Sequence, residues 1–191
     1  MMNFEKKVKL HATHIPILHY LVEELNASRS LEIGLGYYST GYLVEACVSL
    51  TSYETKNVDP ELNWFNYITE KIGKKKNWEA ISIDDIHNLA NALFKEKKKF
   101  YDLVFVDGSI ESRALSANIA LNVLKPKFVV VHDIEGEEYD YDEVLNEDYY
   151  YYEYRKYAPN TGVYVKNRED FEKIKENIMD YEKDFFSKFM I

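Results

Sequence analysis

The sequence predicts an α/β fold: a parallel sheet with helices on both faces, closed by an antiparallel C-terminal hairpin and followed by a C-terminal helix. Three observations carry that prediction. Short apolar runs bounded by acids alternate with amphipathic stretches of helical spacing. A glycine turn, Glu32-Ile33-Gly34-Leu35-Gly36, follows the first run. Near the C-terminus, two tyrosine- and valine-rich runs are joined by Ala158-Pro159-Asn160-Thr161, the punctuation of a hairpin.

The elements follow in order. Pro16 marks the first turn of a helix that starts near Thr13 or His14, with Leu18, Leu21, Val22 and Leu25 at helical spacing. Residues 31–33 form the first strand, 40–48 a helix and 49–53 the second strand. A second amphipathic helix spans 59–72, with Trp64, Tyr67, Ile68 and Ile72 on one face, and stops at Gly73. Residues 78–83 alternate as a third strand, and a helix from 86 to about 97 follows. The apolar run bounded by Asp102 and Asp107 reads as a strand buried on both faces. A helix over 111–124, stopped by Pro126, leads to the fifth strand at 128–133. Residues 149–157 and 162–166 make the hairpin, and 168–189 the last helix, with Phe171, Ile174, Ile178, Phe185 and Phe189 in one stripe that would serve as a homodimer surface. The chain divides into an N-terminal helical segment (1–29), a core (30–166) and a C-terminal helix (167–191), all of one domain.

Composition narrows the function classes. The sequence has no run of eighteen apolar residues and its first residues lack a signal peptide's apolar stretch, so neither a membrane span nor export is expected. The single cysteine, Cys47, lies in an apolar run. It excludes an internal disulfide, reads as core filler, and fits a reducing cytoplasm. The net charge of −9 is local: residues 133–153 carry ten acids and no Lys or Arg, and the rest of the chain sets 24 bases against 23 acids. Nucleic acid would be repelled from that side of the molecule. Seven tyrosines lie between residues 135 and 154, a stretch that reads either as a lid that attracts and stacks a cationic substrate or as a solvated face followed by a tyrosine-rich strand.

A strand, a glycine turn, a helix and a second strand ending in Glu54 form a unit that holds a nucleoside. The glycines admit the ligand closely, and the acid accepts hydrogen bonds from ribose hydroxyls. The nicotinamide fingerprint would place a third glycine at position 39, where this chain has Ser39. Glu32 before the turn suits a ligand ammonium group better than a pyrophosphate. Acids stand at successive strand ends, Glu32, Glu54, Asp84 with Asp85, Asp107 and Asp133, where open α/β sheets bind ligands. The competing reading, that acids favour helix N-termini, accounts for one or two of the set.

Glu32-Ile33-Gly34-Leu35-Gly36 resembles the first motif of the class I S-adenosylmethionine-dependent methyltransferases, and the resemblance runs from about residue 31 to 133. It implies a Rossmann-like sheet and S-adenosylmethionine as cofactor. Glu32, Gly34 and Gly36 would contact its methionine end with Ser39 in the same loop, Glu54 the ribose, and Asp84 or Asp85 the adenine amine. The segments 101–108 and 129–133 look like the small-molecule O-methyltransferase branch, whose metal-dependent members hold magnesium at the positions of Asp107 and Asp133; Ile110 and Ile134 depart from that branch. Without a metal, Asp107, also counted among the cofactor contacts, would take a proton or bind substrate, and His132 is the nearest general base. His11 and His14 would line the substrate mouth, although scattered histidines, His19 among them, more often pack or face solvent. The acceptor is expected to be a small molecule or a protein side chain. Two alternatives remain: a polyamine aminopropyltransferase, which the acids suit, and a nucleoside-binding module without catalysis.

Overall fold

The computed structural model describes residues 12–56, 63–141, 144 and 146–181. The elements are α1 (Ile15–Glu23), β1 (Arg29–Ile33), α2 (Tyr37–Ala46), β2 (Ser49–Thr55), α3 (Trp64–Ile72), β3 (Trp78–Ile83), α4 (Ile86–Glu96), β4 (Leu103–Val106), α5 (Ile110–Ile119), β5 (Phe128–His132), β6 (Tyr150–Tyr154), β7 (Thr161–Val165) and α6 (Arg168–Asn177). All seven strands join one sheet in the order β3-β2-β1-β4-β5-β7-β6. The first five are parallel, and β7 runs antiparallel to both β5 and β6. The predicted parallel sheet with its antiparallel closing hairpin is therefore observed.

Strand position follows hydrophobicity. β4 and β5 are buried at every residue and lie at the centre, whereas β3, only half-buried, forms an edge. Alternation sends Leu103, Phe105, Phe128 and Val130 to one face, where α1 packs with Ile17, Leu18 and Leu21. Val104, Val106, Val129 and Val131 go to the other face, with Leu89 and Leu93 of α4 and Ala117 of α5.

The elements depart from the sequence reading mainly at their ends. α2 begins three residues early, because extended Gly36 ends the turn and accepts the N–H of Thr40. β2 runs on through Glu54 and Thr55, which pair with Ser82 and Ile83. The helix predicted over 111–124 splits into α5 and a π-helical turn, Ala120–Leu124, that closes at left-handed Lys125. Residues 59–62 of the predicted second helix, and 182–191 of the last one, lie outside the described residues. Ile174 and Ile178 are fully buried in the core, so this part of the apolar stripe is covered by its own sheet and not left for a second copy; Phe185 and Phe189 lie outside the described residues. The tyrosine strand splits by alternation: Tyr150 stacks on Phe171 and Tyr154 is core, while Tyr151 packs on Tyr164 across the opposite face. No helix among the described residues is long and apolar enough to cross a membrane.

Candidate active site

β1 and β4 are neighbours in the sheet but not in sequence, so the connections from their carboxyl ends diverge and open a crevice there. The glycine turn lies at that point. Gly34 has φ +91°, and a Cβ on it would sit 2.4 Å from the backbone of Asp107 and Gly108. Glycine here is required twice over, by conformation and by the close approach of the β4 end. The turn and Asp107 are thereby held against each other.

Both flanking acids build this turn. Glu54 Oε2 accepts the N–H of Leu35 at 2.8 Å. Glu32 Oε2 accepts the hydroxyls of Ser52 (2.7 Å) and Thr40 (2.8 Å), and Thr40 in turn accepts the N–H of Gly36. Trp64 Nε1 donates to the carbonyl of Leu35. Glu32 is fully buried, and its Oε1 has no hydrogen-bond partner; nor has the buried Ser39 Oγ. Burial pushes the Glu32 carboxyl up to about 8 and that of Glu54 up to about 7. An unpaired buried carboxyl oxygen beside a glycine turn fits a ligand ammonium group.

The second cluster forms where β4 and β5 end. Asp107 Oδ1 accepts from Arg113 Nη2 at 2.8 Å, and Asp133 Oδ2 accepts from Arg113 Nη1 at 2.8 Å. Arg113 comes from α5, also donates to the carbonyls of Gly108 and His132, and lies 4.2 Å beneath the ring of Tyr139. Thr13 Oγ1 donates to the carbonyl of Pro159, so it accepts from His132 Nε2, 2.8 Å away. His132 Nδ1 then faces Asp107 Oδ1 at 3.2 Å and Asp133 Oδ1 at 3.3 Å, where only a donor is satisfied. Burial would raise the Asp107 carboxyl, but the hydrogen bond from His132 and the charges of His132, His14 and Arg113 hold it below the ordinary value.

Asp107 and Asp133 do stand together, as a magnesium pair would require. They do not fit the ion, however, because a guanidinium already spans them and donates to both. His14, Asp107 and His132 bring one ligand atom each within 4.8 Å of one another, yet the same Asp107 oxygen carries Arg113, and both nitrogens of His132 are already engaged, by Thr13 and by Asp107. The cation that the described residues place at these strand ends is Arg113.

The remaining candidates separate clearly. Asp85 caps α4 by accepting the N–H of Asn88, so its carboxylate has a structural task. Asp84 stands exposed at the β3 end, paired with Lys56. Cys47 is buried, and burial pushes its thiol up to about 11, as core filler should behave. His14, expected at the mouth, is buried 4.5 Å from the ring of His132, with its own nitrogens unpartnered; burial and the charge of His132 push it down to about 3. His19 bonds the Tyr181 hydroxyl, and His11 lies outside the described residues. Sequence reasoning missed Arg113, Thr13 and Trp64. Arg113 is the only base between residues 101 and 124, among apolar and small neighbours, and that was its one visible signal.

No protein-family model and no curated protein matches this sequence. Among solved structures, an O-methyltransferase from Bacillus cereus in complex with S-adenosylhomocysteine superposes with a TM-score of 0.60 at 17% identity, over 81% of each chain. A Podospora anserina methyltransferase bound to S-adenosylhomocysteine gives 0.59 at 12% identity, over 87% of this chain and 83% of that one. The N-methyltransferase NodS from Bradyrhizobium japonicum, in complex with S-adenosylhomocysteine, gives 0.55 at 14%, over 87% and 89%. Agreement over nearly the whole chain at such low identity is agreement of architecture, and this chain has the class I methyltransferase fold.

Proposed function

We propose that the protein is an S-adenosylmethionine-dependent methyltransferase acting on a small molecule or a protein side chain. The observation that carries this reading is the contact of Gly34 with the Asp107 backbone, which joins a nucleoside-type glycine turn to a cluster of charged side chains at the next strand end. S-adenosylmethionine supplies the methyl group when bound. Glu32 Oε1 meets its ammonium group, Glu54 its ribose hydroxyls and Asp84 its adenine amine, with Asp85 kept as a helix cap.

Asp107 and Asp133 present carboxyl oxygens toward the acceptor and fix its orientation by hydrogen bonds. Arg113 spans the two groups and holds them in place. Both nitrogens of His132 are engaged, by Thr13 and by Asp107, so His132 positions Asp107. Catalysis is then largely alignment of donor and acceptor with water excluded. No step passes through a metal.

Calorimetric titration with S-adenosylhomocysteine tests the proposal. One site per chain is expected. Glu54→Gln keeps an acceptor for Leu35 but loses charge at the ribose, and its Kd should rise about tenfold, the worth of a hydrogen bond to a charged group. Absence of heat with the intact protein, or undiminished affinity in the variant, removes the assignment.

A further inference from the structure

Away from the glycine turn, a cavity of about 510 Å³ opens on the α5 face of the sheet, between β5, β7, β6 and the segment that follows β5. That volume suits a small molecule. Four tyrosines, Tyr141, Tyr149, Tyr151 and Tyr164, line it together with the carboxylates of Glu147 and Glu153. Gly162 lets two of the lining side chains, Tyr151 and Val131, lie close against β7. It pairs with both Val131 and Glu153, and a Cβ there would meet Tyr151 Oη at 2.8 Å and Val131 Cγ2 at 2.9 Å.

Most neutral polar groups of the wall are already engaged; the Tyr151 hydroxyl makes no hydrogen bond among the described residues. Tyr141 donates to the carbonyl of His132, Tyr149 to that of Pro126 and Tyr164 to that of Val144. The amide of Asn146 donates to Leu121 and Asn122, and its oxygen accepts from Asp148. Aromatic rings and two carboxylates are left to meet a ligand. Glu153 has only the exposed Arg155 as a counter-ion, a pair that solvent screens. Glu147 has no ion pair among the described residues. The lining holds two carboxylates and no Lys or Arg, so the local field is negative. Anions are repelled, and a neutral ligand would gain hydrogen bonds from the carboxylates but no charge pairing.

We propose that this cavity binds a small organic ammonium ion, with its charge toward Glu147 and Glu153 and its alkyl groups against the rings of Tyr151 and Tyr164. Cation–π attraction and the acidic rim act together on such an ion. The site shares no residue with the glycine turn, so it stands whether or not S-adenosylhomocysteine binds.

The test is ligand-observed NMR titration of the full chain with choline and with butylammonium, each against an uncharged analogue, 3,3-dimethyl-1-butanol and 1-pentanol. At least one cation should saturate a single site about tenfold more tightly than its neutral partner. The double variant Glu147→Gln/Glu153→Gln should weaken that binding about tenfold, and Tyr151→Leu, at a half-exposed position that tolerates change, several-fold. Circular dichroism confirms that each variant is folded. The inference is overturned if neither cation binds, if a neutral analogue binds as well as its cation, or if the folded double variant binds undiminished.

Discussion

Arg113 decides the chemistry of the strand-end acids. Two carboxylates at the ends of adjacent strands invite a divalent ion, and from residue types alone that reading was reasonable. The side chain that answers them starts on α5 and reaches the carboxyl ends of both central strands. Removing it should restore the vacancy. Arg113→Met is expected to bind Mn²⁺, seen as loss of the free-ion signal in electron paramagnetic resonance, while the parent chain leaves that signal unchanged. Binding of Mn²⁺ by the parent at these acids would refute the account. Thr13 acts in the same indirect way, since by giving its own hydrogen to Pro159 it fixes which nitrogen of His132 must donate.

Among the elements, the β1–α2 connection is the least tolerant. Its geometry depends on Gly34 at positive φ, on Thr40 bridging Gly36 to Glu32, and on Glu54 holding Leu35. Gly34→Ala adds a methyl 2.4 Å from the backbone of Asp107 and Gly108, just past β4, which no side-chain rotation can relieve. A loss of at least roughly 2 kcal/mol is expected in a urea melt, from the strained φ and the forced shift of a buried strand end. Gly41→Ala is the control: nothing lies within 4 Å of its missing Cβ, and it sits inside α2, where alanine is the better helix former. Equal melts for the two variants would show that the turn is not so constrained. These elements were legible from pattern because each strand is a short apolar run and each helix has a periodic face. Their ends were less so. The extension of β2 through Glu54 and the π-helical turn after α5 depend on strand pairing and on Pro126, which periodicity does not report.

For the molecule as a whole, buried acids set the dependence of stability on pH. Burial raises Glu32 from 4.5 to about 8 and Glu54 from 4.5 to about 7, so between those values the unfolded chain releases protons that the folded chain retains. Their contribution is fully present below pH 4.5 and is lost as pH rises toward 8. Glu32→Gln keeps an acceptor for Ser52 and Thr40 but cannot ionise. Relative to the parent, it should gain roughly 2–4 kcal/mol between pH 5 and pH 8, read from denaturant melts at each pH. A constant difference across that range would mean that Glu32 is ionised in the folded state. Bound S-adenosylhomocysteine should flatten the parent's slope, because its ammonium group favours the ionised carboxylate.

By itself the sequence determined the succession of strands and helices, the glycine turn, and the placing of an acid at each strand end. These follow from local periodicity and backbone sterics, which act over a few residues. Tertiary structure alone decided what the acids do: Glu32 and Glu54 brace a loop, Asp85 caps a helix, Asp107 and Asp133 grip an arginine, and Glu147 and Glu153 line a tyrosine cavity. A carboxylate's role is set by the partner it meets, and these partners come from distant parts of the chain that only folding brings within hydrogen-bond reach.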